Sequence, residues 1–300
     1  MKVAAVDIGT NTLRMLIAEF DKKLERLRPL RRERIVTRLG DSFIVTGLLK
    51  KEAMERTLVA LERFKSIAEE EYCERVIPIA TSCVREAKNG REFVRLVKKR
   101  IGWDIIVIDG TKEAYLTYLG IKKGLDVRDD TVMFDVGGGS TEYIFSNNAI
   151  KTISIPIGVV KLRDLFMKND PPLESELEEI RGFVRKSLAE LKGLTNSVET
   201  VIGTAGTATT LAAIKLKMKE YNPDLIHGTL VSFDEIVEIF NILKVIPSKE
   251  RLKVEGMEQG REDLIIPGIL ITLETLSTFD KREMLVSEWG ILEGIVFYYV

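Results

Sequence analysis

The sequence predicts an α/β protein built from two related domains, each running βββαβαβα, and three observations carry that prediction. A short pattern, D-x-G-x-[NG]-[ST], occurs twice, as Asp7-Ile8-Gly9-Thr10-Asn11-Thr12 and as Asp135-Val136-Gly137-Gly138-Gly139-Ser140-Thr141. Each copy lies between two apolar, strand-like runs, 3–6 and 13–18 around the first, 132–134 and 143–145 around the second, so each reads as a tight β-hairpin. After each copy the order of elements repeats: a further strand, then alternating helices and strands.

In the first half, residues 2–6, 13–20 and 24–36 read as three consecutive strands, and 50–70 carries Met54, Leu58, Leu61, Phe64, Ile67 and Ala68 at helical spacing. A strand at 76–80, a helix at 91–100, a strand at 105–108 and a helix at 112–123 follow. Residues 124–130 form a polar, turn-prone break, which sets the expected domains at 1–124 and 125–300. The second half repeats three strands at 132–135, 141–145 and 150–155, then helices at 159–167 and 174–191, the latter opening after Asn169-Asp170-Pro171-Pro172. A strand at 198–202, a helix from about 206, helices near 233–243 and 263–279 and a strand at 284–287 complete it. The final apolar helix, about 289–300, is able to cross back onto the first domain.

With 300 residues and 45% of them hydrophobic, the chain can fill full cores. Lys and Arg number 45 against 46 Asp and Glu, a formal net charge of −1, which argues against DNA and membrane surfaces as partners. An anionic ligand must therefore be met by a local cluster. Cys73 and Cys83 lack the spacing of a disulfide framework or a zinc site and read as two buried small apolar residues. The chain opens directly on a strand and no run is long enough to span a membrane, so a cytoplasmic location is expected.

The two turns carry the chemistry. Glycine lets backbone N–H groups approach an anion closely, hydroxyls donate to phosphate oxygens, and an aspartate at a strand end can hold a divalent cation or its water. The candidate phosphate contacts are Gly9, Thr10, Asn11 and Thr12 in the first loop, and Gly137, Gly138, Gly139, Ser140 and Thr141 in the second. Arg14 either joins them or braces its hairpin. Gly206 and Thr207 follow a strand and open a helix, a geometry suited to an anion at the helix N-terminus. Asp135 and Glu142 stand across the glycine-rich turn and can return both carboxylates to one Mg²⁺ site, with Asp7 a further metal candidate. His227, the single histidine, reads as structural.

Several segments resemble, in order, those of the exopolyphosphatase and guanosine pentaphosphate phosphatase family, a branch of the actin-like (ribonuclease H-like) ATPase superfamily. Residues 7–14 resemble its first loop D-I-G-S-N-S-x-R with threonine for both serines, Ala80 to Asn89 its A-T-x-x-x-R-x-A-x-N segment, and Asp135 to Glu142 its D-I-G-G-G-S-T-E loop. The family's S-x-x-G-L-R-E-G appears as Ser287 to Gly294, with Leu292 where arginine is expected. Longer members continue into a helical HD-type domain, whose metal cluster a chain with one histidine cannot supply. The resemblance implies two actin-like domains with the ligand in a cleft between them, Mg²⁺ or Mn²⁺ as cofactor, and polyphosphate or guanosine pentaphosphate as substrate. It also implies a general-base role for Glu113, which from the residues alone is an acid in a first helical turn, and charge neutralisation on the transferred phosphoryl group for Arg85. A phosphotransferase and a slow nucleotide sensor share these loops and stay open as alternatives, and a homodimer is left open as well.

Overall fold

The computed structural model describes the whole chain apart from residues 42, 148, 195 and 196 and the side chain of residue 44. The chain divides into two compact units, Met1–Gly120 with Gly290–Val300, and Ile121–Trp289.

The first unit contains β1 (Lys2–Ile8), β2 (Thr12–Asp21), β3 (Arg26–Val36), α1 (Phe43–Thr46), α2 (Lys51–Glu70), β4 (Arg75–Ala80), α3 (Ser82–Glu86), α4 (Gly90–Ile101), β5 (Ile106–Val107) and most of α5 (Gly110–Gly124). Its sheet has the order β3-β2-β1-β4-β5. The first three strands are antiparallel, whereas β4 joins β1 and β5 joins β4 in parallel. Val3 to Val6 are fully buried, as a central strand covered on both faces requires. At the edge, β3 reads Arg26-Leu27-Arg28-Pro29, charge and proline that discourage further pairing. Helix α2 buries the stripe Met54, Leu58, Leu61, Phe64 and Ile67, and α4 stops at Gly102, whose φ of +87° closes the helix in the left-handed region.

The second unit contains β6 (Thr131–Val136), β7 (Thr141–Asn147), β8 (Ala149–Ile155), α6 (Val159–Phe166), α7 (Glu174–Leu188), β9 (Thr200–Thr204), α8 (Ala205–Lys215), α9 (Pro223–Ile226), β10 (Leu230–Ser232), α10 (Phe233–Leu243), α11 (Ser248–Arg251), α12 (Ile265–Thr278) and β11 (Glu283–Ser287); α13 (Ile291–Tyr299) returns to the first unit and packs on β1 and β2. The sheet order is β10-β11-β9-β6-β7-β8. Strands β6, β7 and β8 repeat the antiparallel trio, and β9 and β11 repeat the parallel pair. Helix α10 starts at Ser232, whose hydroxyl accepts from the Glu235 N–H while the Glu235 carboxylate takes the Ser232 N–H, a reciprocal cap. Helix α12 is buried from Ile265 to Leu276, which its nearly uninterrupted apolar sequence demands.

Several elements differ from the sequence expectation. The strand expected at 105–108 shrinks to Ile106–Val107, both exposed at the sheet edge. Helix α7 ends at Leu188, and the expected continuation is a 3₁₀ turn over Ala189–Gly193. The one-turn helices α1, α3, α9 and α11 and the strand β10 are too short to leave a periodic pattern. Cys83 is buried, its thiol pushed up to about 12 by desolvation, but Cys73 is only partly buried, against the expectation for both.

Candidate active site

In the first hairpin Asp7 and Arg14 are directly opposed across β1 and β2. Arg14 donates from Nε and Nη2 to Asp7 Oδ2 at 3.0 and 2.6 Å, with Asp7 buried. The arginine thus braces the hairpin, and its guanidinium engages one oxygen, Oδ2, of the carboxylate expected as a further metal candidate. Loop carbonyls are drawn to one side: Thr10 O accepts from the Gly40 N–H at 2.8 Å, and Asn11 O accepts from the N–H groups of Thr37 and Arg38 at 3.2 and 2.9 Å. The hydroxyl of Thr10 lies 3.0 Å from that of Ser82, and the Asn11 amide donates to Thr12 Oγ1 at 3.2 Å.

Ser82 opens α3, and Arg85 lies on the same short helix. Arg85 Nη1 donates to Ile108 O at 2.9 Å and lies 3.7 Å from Glu113 Oε2, so the fold brings the two expected catalytic side chains together. Glu113 sits in the first turn of α5 with its side chain 13% exposed, close enough to solvent for a small reactant. Its helix is anchored just upstream, where Asp109 Oδ1 accepts the Lys112 N–H at 2.7 Å.

The second hairpin repeats the register with different charge. Asp135 is opposed to Glu142 across β6 and β7, and Glu142 to Ser154 across β7 and β8. Opposed side chains in an antiparallel pair stand about 5 Å apart on one face. Both carboxylates are buried, at 7% and 1% exposure, and two such charges repel unless a cation joins them. This donor set fits a divalent cation. Among the described residues no group of three or more His, Cys, Asp or Glu side chains converges, so a cation here would complete its shell with water and phosphate oxygens, the habit of Mg²⁺.

As in the first loop, carbonyls are drawn to one side. Helix α6 begins on the glycine turn, its Val159 N–H donating to Gly137 O at 3.0 Å and its Val160 and Lys161 N–H groups to Gly138 O at 3.0 and 3.2 Å. Ser140 Oγ donates to Glu142 Oε1 at 2.7 Å and Thr141 Oγ1 to Ile157 O at 2.6 Å. A hydroxyl has one hydrogen, so in this arrangement neither donates to a phosphate, and the second loop's capacity for anions rests on backbone N–H groups.

Gly206 and Thr207 lie at the start of α8, whose first residue, Ala205, is held at φ +61°, a strained value for a side chain with a Cβ. A Cβ on Gly206 would stand 1.9 Å from the guanidinium carbon of Arg261. Only glycine lets that cation lie on the helix N-terminus, where like-signed partial charge favours an anion shared by both. His227 is structural: its Nδ1 accepts the Glu288 N–H at 3.2 Å, which leaves Nε2–H to donate to Gly124 O at 2.9 Å. At the departure from the family pattern, Leu292 is buried at 7%, and the neighbouring Glu293 pairs with Arg32 of β3 at 2.5 Å.

Sequence reasoning missed Ser82, Ser154 and Arg261. Ser82 lies inside the segment resembling A-T-x-x-x-R, on a helix too short to leave a periodic pattern. Ser154 is revealed only by strand register, and Arg261 stands in a loop without a motif.

Residues 16–300 match the family described as the Ppx/GppA phosphatase family. The chain is 33% identical over 309 residues to a bifunctional 3-dehydroquinate synthase/phosphatase of Fusobacterium nucleatum, covering 97% of this chain and 46% of that protein; it thus spans less than half of that relative. It is 32% identical over 309 residues to exopolyphosphatase 2 of Mycobacterium tuberculosis, covering 98% of this chain and 97% of the relative. The crystal structure of an Aquifex aeolicus Ppx/GppA family member superposes with a TM-score of 0.83 at 35% identity, covering 100% of this chain and 97% of the other. An exopolyphosphatase from Cytophaga hutchinsonii gives 0.92 at 29% identity, with 100% and 97% covered. The two sheets are those of the two-domain actin-like fold, and with the match running over nearly its whole length the chain belongs to the Ppx/GppA phosphatase family.

Proposed function

We propose that the chain is an exopolyphosphatase, a Mg²⁺-dependent hydrolase that removes terminal phosphate from inorganic polyphosphate, with the 5′-γ-phosphate of guanosine pentaphosphate as a second substrate. The observation that carries this reading is the pairing of Glu113 with Arg85 at 3.7 Å, in a chain whose two glycine turns both turn carbonyls aside. Similarity to exopolyphosphatase 2 of M. tuberculosis and to the C. hutchinsonii exopolyphosphatase supports the substrate class.

In this reading Glu113 accepts the proton of a water that attacks the terminal phosphorus, and the P–O bond to the rest of the chain breaks. Arg85 holds the carboxylate in place and balances charge on the departing phosphoryl group. Backbone N–H groups at Thr10 to Thr12 and at Gly138 to Thr141 bind phosphate oxygens, the Gly9 and Gly137 N–H groups being spent on Thr12 O and Ser140 O, and Arg261 with Gly206 and Thr207 offers a further anion contact. Asp135 and Glu142 would hold Mg²⁺, which when bound neutralises and polarises phosphate oxygens. Arg14 neutralises Asp7 in the first hairpin, so that carboxylate needs no metal to balance it.

The test is orthophosphate release from polyphosphate and from guanosine pentaphosphate, before and after chelation and with Mg²⁺ restored. Release from polyphosphate that needs Mg²⁺ is expected, and Glu113→Gln is expected to lower turnover by about 10² while retaining polyphosphate binding. No release, phosphate transferred to an added acceptor instead of water, or near-normal turnover in Glu113→Gln would each overturn the assignment.

A further inference from the structure

We infer that Ser154 is a positioning residue for the metal site: it fixes the Glu142 carboxylate through one oxygen, so that the carboxylate meets a divalent cation in a set orientation. The inference rests on the proposed assignment of Asp135 and Glu142 to Mg²⁺. Ser154 Oγ donates to Glu142 Oε1 at 2.8 Å, and Ser140 Oγ donates to the same oxygen at 2.7 Å. Two hydroxyl donors on one oxygen of a buried carboxylate remove its rotation and fill that oxygen's lone pairs. The other oxygen, Oε2, lies on the side of the glycine turn, 3.9 Å from where a Cβ on Gly137 would be.

The two serines differ in origin. Ser140 belongs to the turn itself and moves with it. Ser154 comes from β8, locked opposite Glu142 by the antiparallel register that also aligns Glu142 with Asp135. It ties the carboxylate to the body of the sheet, so the distance between the two acids does not depend on the conformation of the turn. Partners that orient a ligating carboxylate in this way are worth about 10- to 100-fold in metal affinity.

Mn²⁺ binding to the substrate-free protein, followed by the loss of the free-ion electron paramagnetic resonance signal, tests this without any turnover. Ser154→Ala is expected to weaken Mn²⁺ binding about 10-fold and to raise the Mg²⁺ needed for half-maximal phosphate release by a similar factor, with kcat at saturating Mg²⁺ nearly unchanged. Ser154→Thr, which keeps the hydroxyl, is expected to stay close to the parent. Glu142→Gln serves as the reference. If it weakens Mn²⁺ binding and Ser154→Ala does not, the positioning role is refuted while the metal assignment stands. If Glu142→Gln leaves Mn²⁺ binding unchanged, the metal assignment itself fails, and the inference with it. A Ser154→Thr protein that melts like the parent but binds Mn²⁺ as weakly as Ser154→Ala would also refute it, since the hydroxyl would not be the agent.

Discussion

Replacing Gly158 by alanine tests whether the second loop is built on the N-terminus of α6. The backbone there is extended, with φ −142° and ψ 160°, so alanine meets no conformational objection and the obstacle is space alone. Its Cβ would lie 2.4 Å from the carbonyl carbon and oxygen of Gly138 and 2.5 Å from the Gly139 nitrogen, and none of these three backbone atoms can swing away as a side chain would. Either the contact is compressed, at a cost of about 1–3 kcal/mol, or α6 withdraws and surrenders its three hydrogen bonds to Gly137 and Gly138, each worth about 1 kcal/mol. Both routes converge on about 2–3 kcal/mol, or a melting temperature lower by roughly 5–10 °C. Gly182, in the middle of α7, has nothing within 4 Å of its would-be Cβ, so the same substitution there is expected to stabilise by about 0.5–1 kcal/mol. Thermal melts of the two variants, followed by circular dichroism, should move in opposite directions, and Gly158→Ala should also need more Mg²⁺ for phosphate release. A Gly158→Ala protein that melts with the parent would show that the loop does not rest on the helix as described.

Arg85→Lys should lower turnover by at least about 10-fold with little change in melting, because one ammonium cannot replace a fork whose Nη1 meets Ile108 O and Glu113 while Nη2 holds Glu86; parental turnover in the lysine variant would sink this role. Glu176 gives a pH signature. Burial pushes its carboxyl up, but the N–H groups of Leu173 and Lys168 and the Asn169 amide, each at 2.9 Å, outweigh that and hold it below its ordinary value. Stability from the ionised form is then complete above the unfolded-state value and lost as pH falls through the lower folded one. The melting difference between parent and Glu176→Gln should be largest near neutrality and shrink on acidification below about pH 4; a difference independent of pH would refute it.

Most of the fold was legible because its signals are periodic or repeated. The strands flanking Asp7 and Asp135 and the stripe of α2 follow from alternation and helical spacing, and both hairpins from the duplicated turn. What escaped was either too short to show a period, such as Ser82–Glu86, or set by pairing across strands, such as Ser154. The pairing of Arg85 with Glu113 joins residues from two helices, and only the resemblance to a family linked them beforehand. The hydroxyls of Ser140 and Thr141 show the opposite failure. Their residue type suits phosphate, yet their single hydrogens are spent on Glu142 and Ile157. Residue type sets what a side chain can donate, whereas packing decides what it does donate.

Register also explains why the two hairpins should treat phosphate differently. Across β1, β2 and β3 one row reads Asp7, Arg14, Arg34, and across β6, β7 and β8 the equivalent row reads Asp135, Glu142, Ser154. The first carries a formal charge of about +1 and the second about −2 when all groups are ionised. Two carboxylates about 5 Å apart repel by roughly 3 kcal/mol at an effective dielectric of 20, and the hydroxyls of Ser140 and Ser154 on Glu142 bring no positive charge to the row. A cationic row can meet phosphate oxygens directly, but an anionic row can do so only through a divalent ion that reverses its sign. On the reading proposed here, duplication supplied two copies of one anion-binding turn, and the exchange of Arg14 for Glu142 at one register position turned the second copy into a metal site.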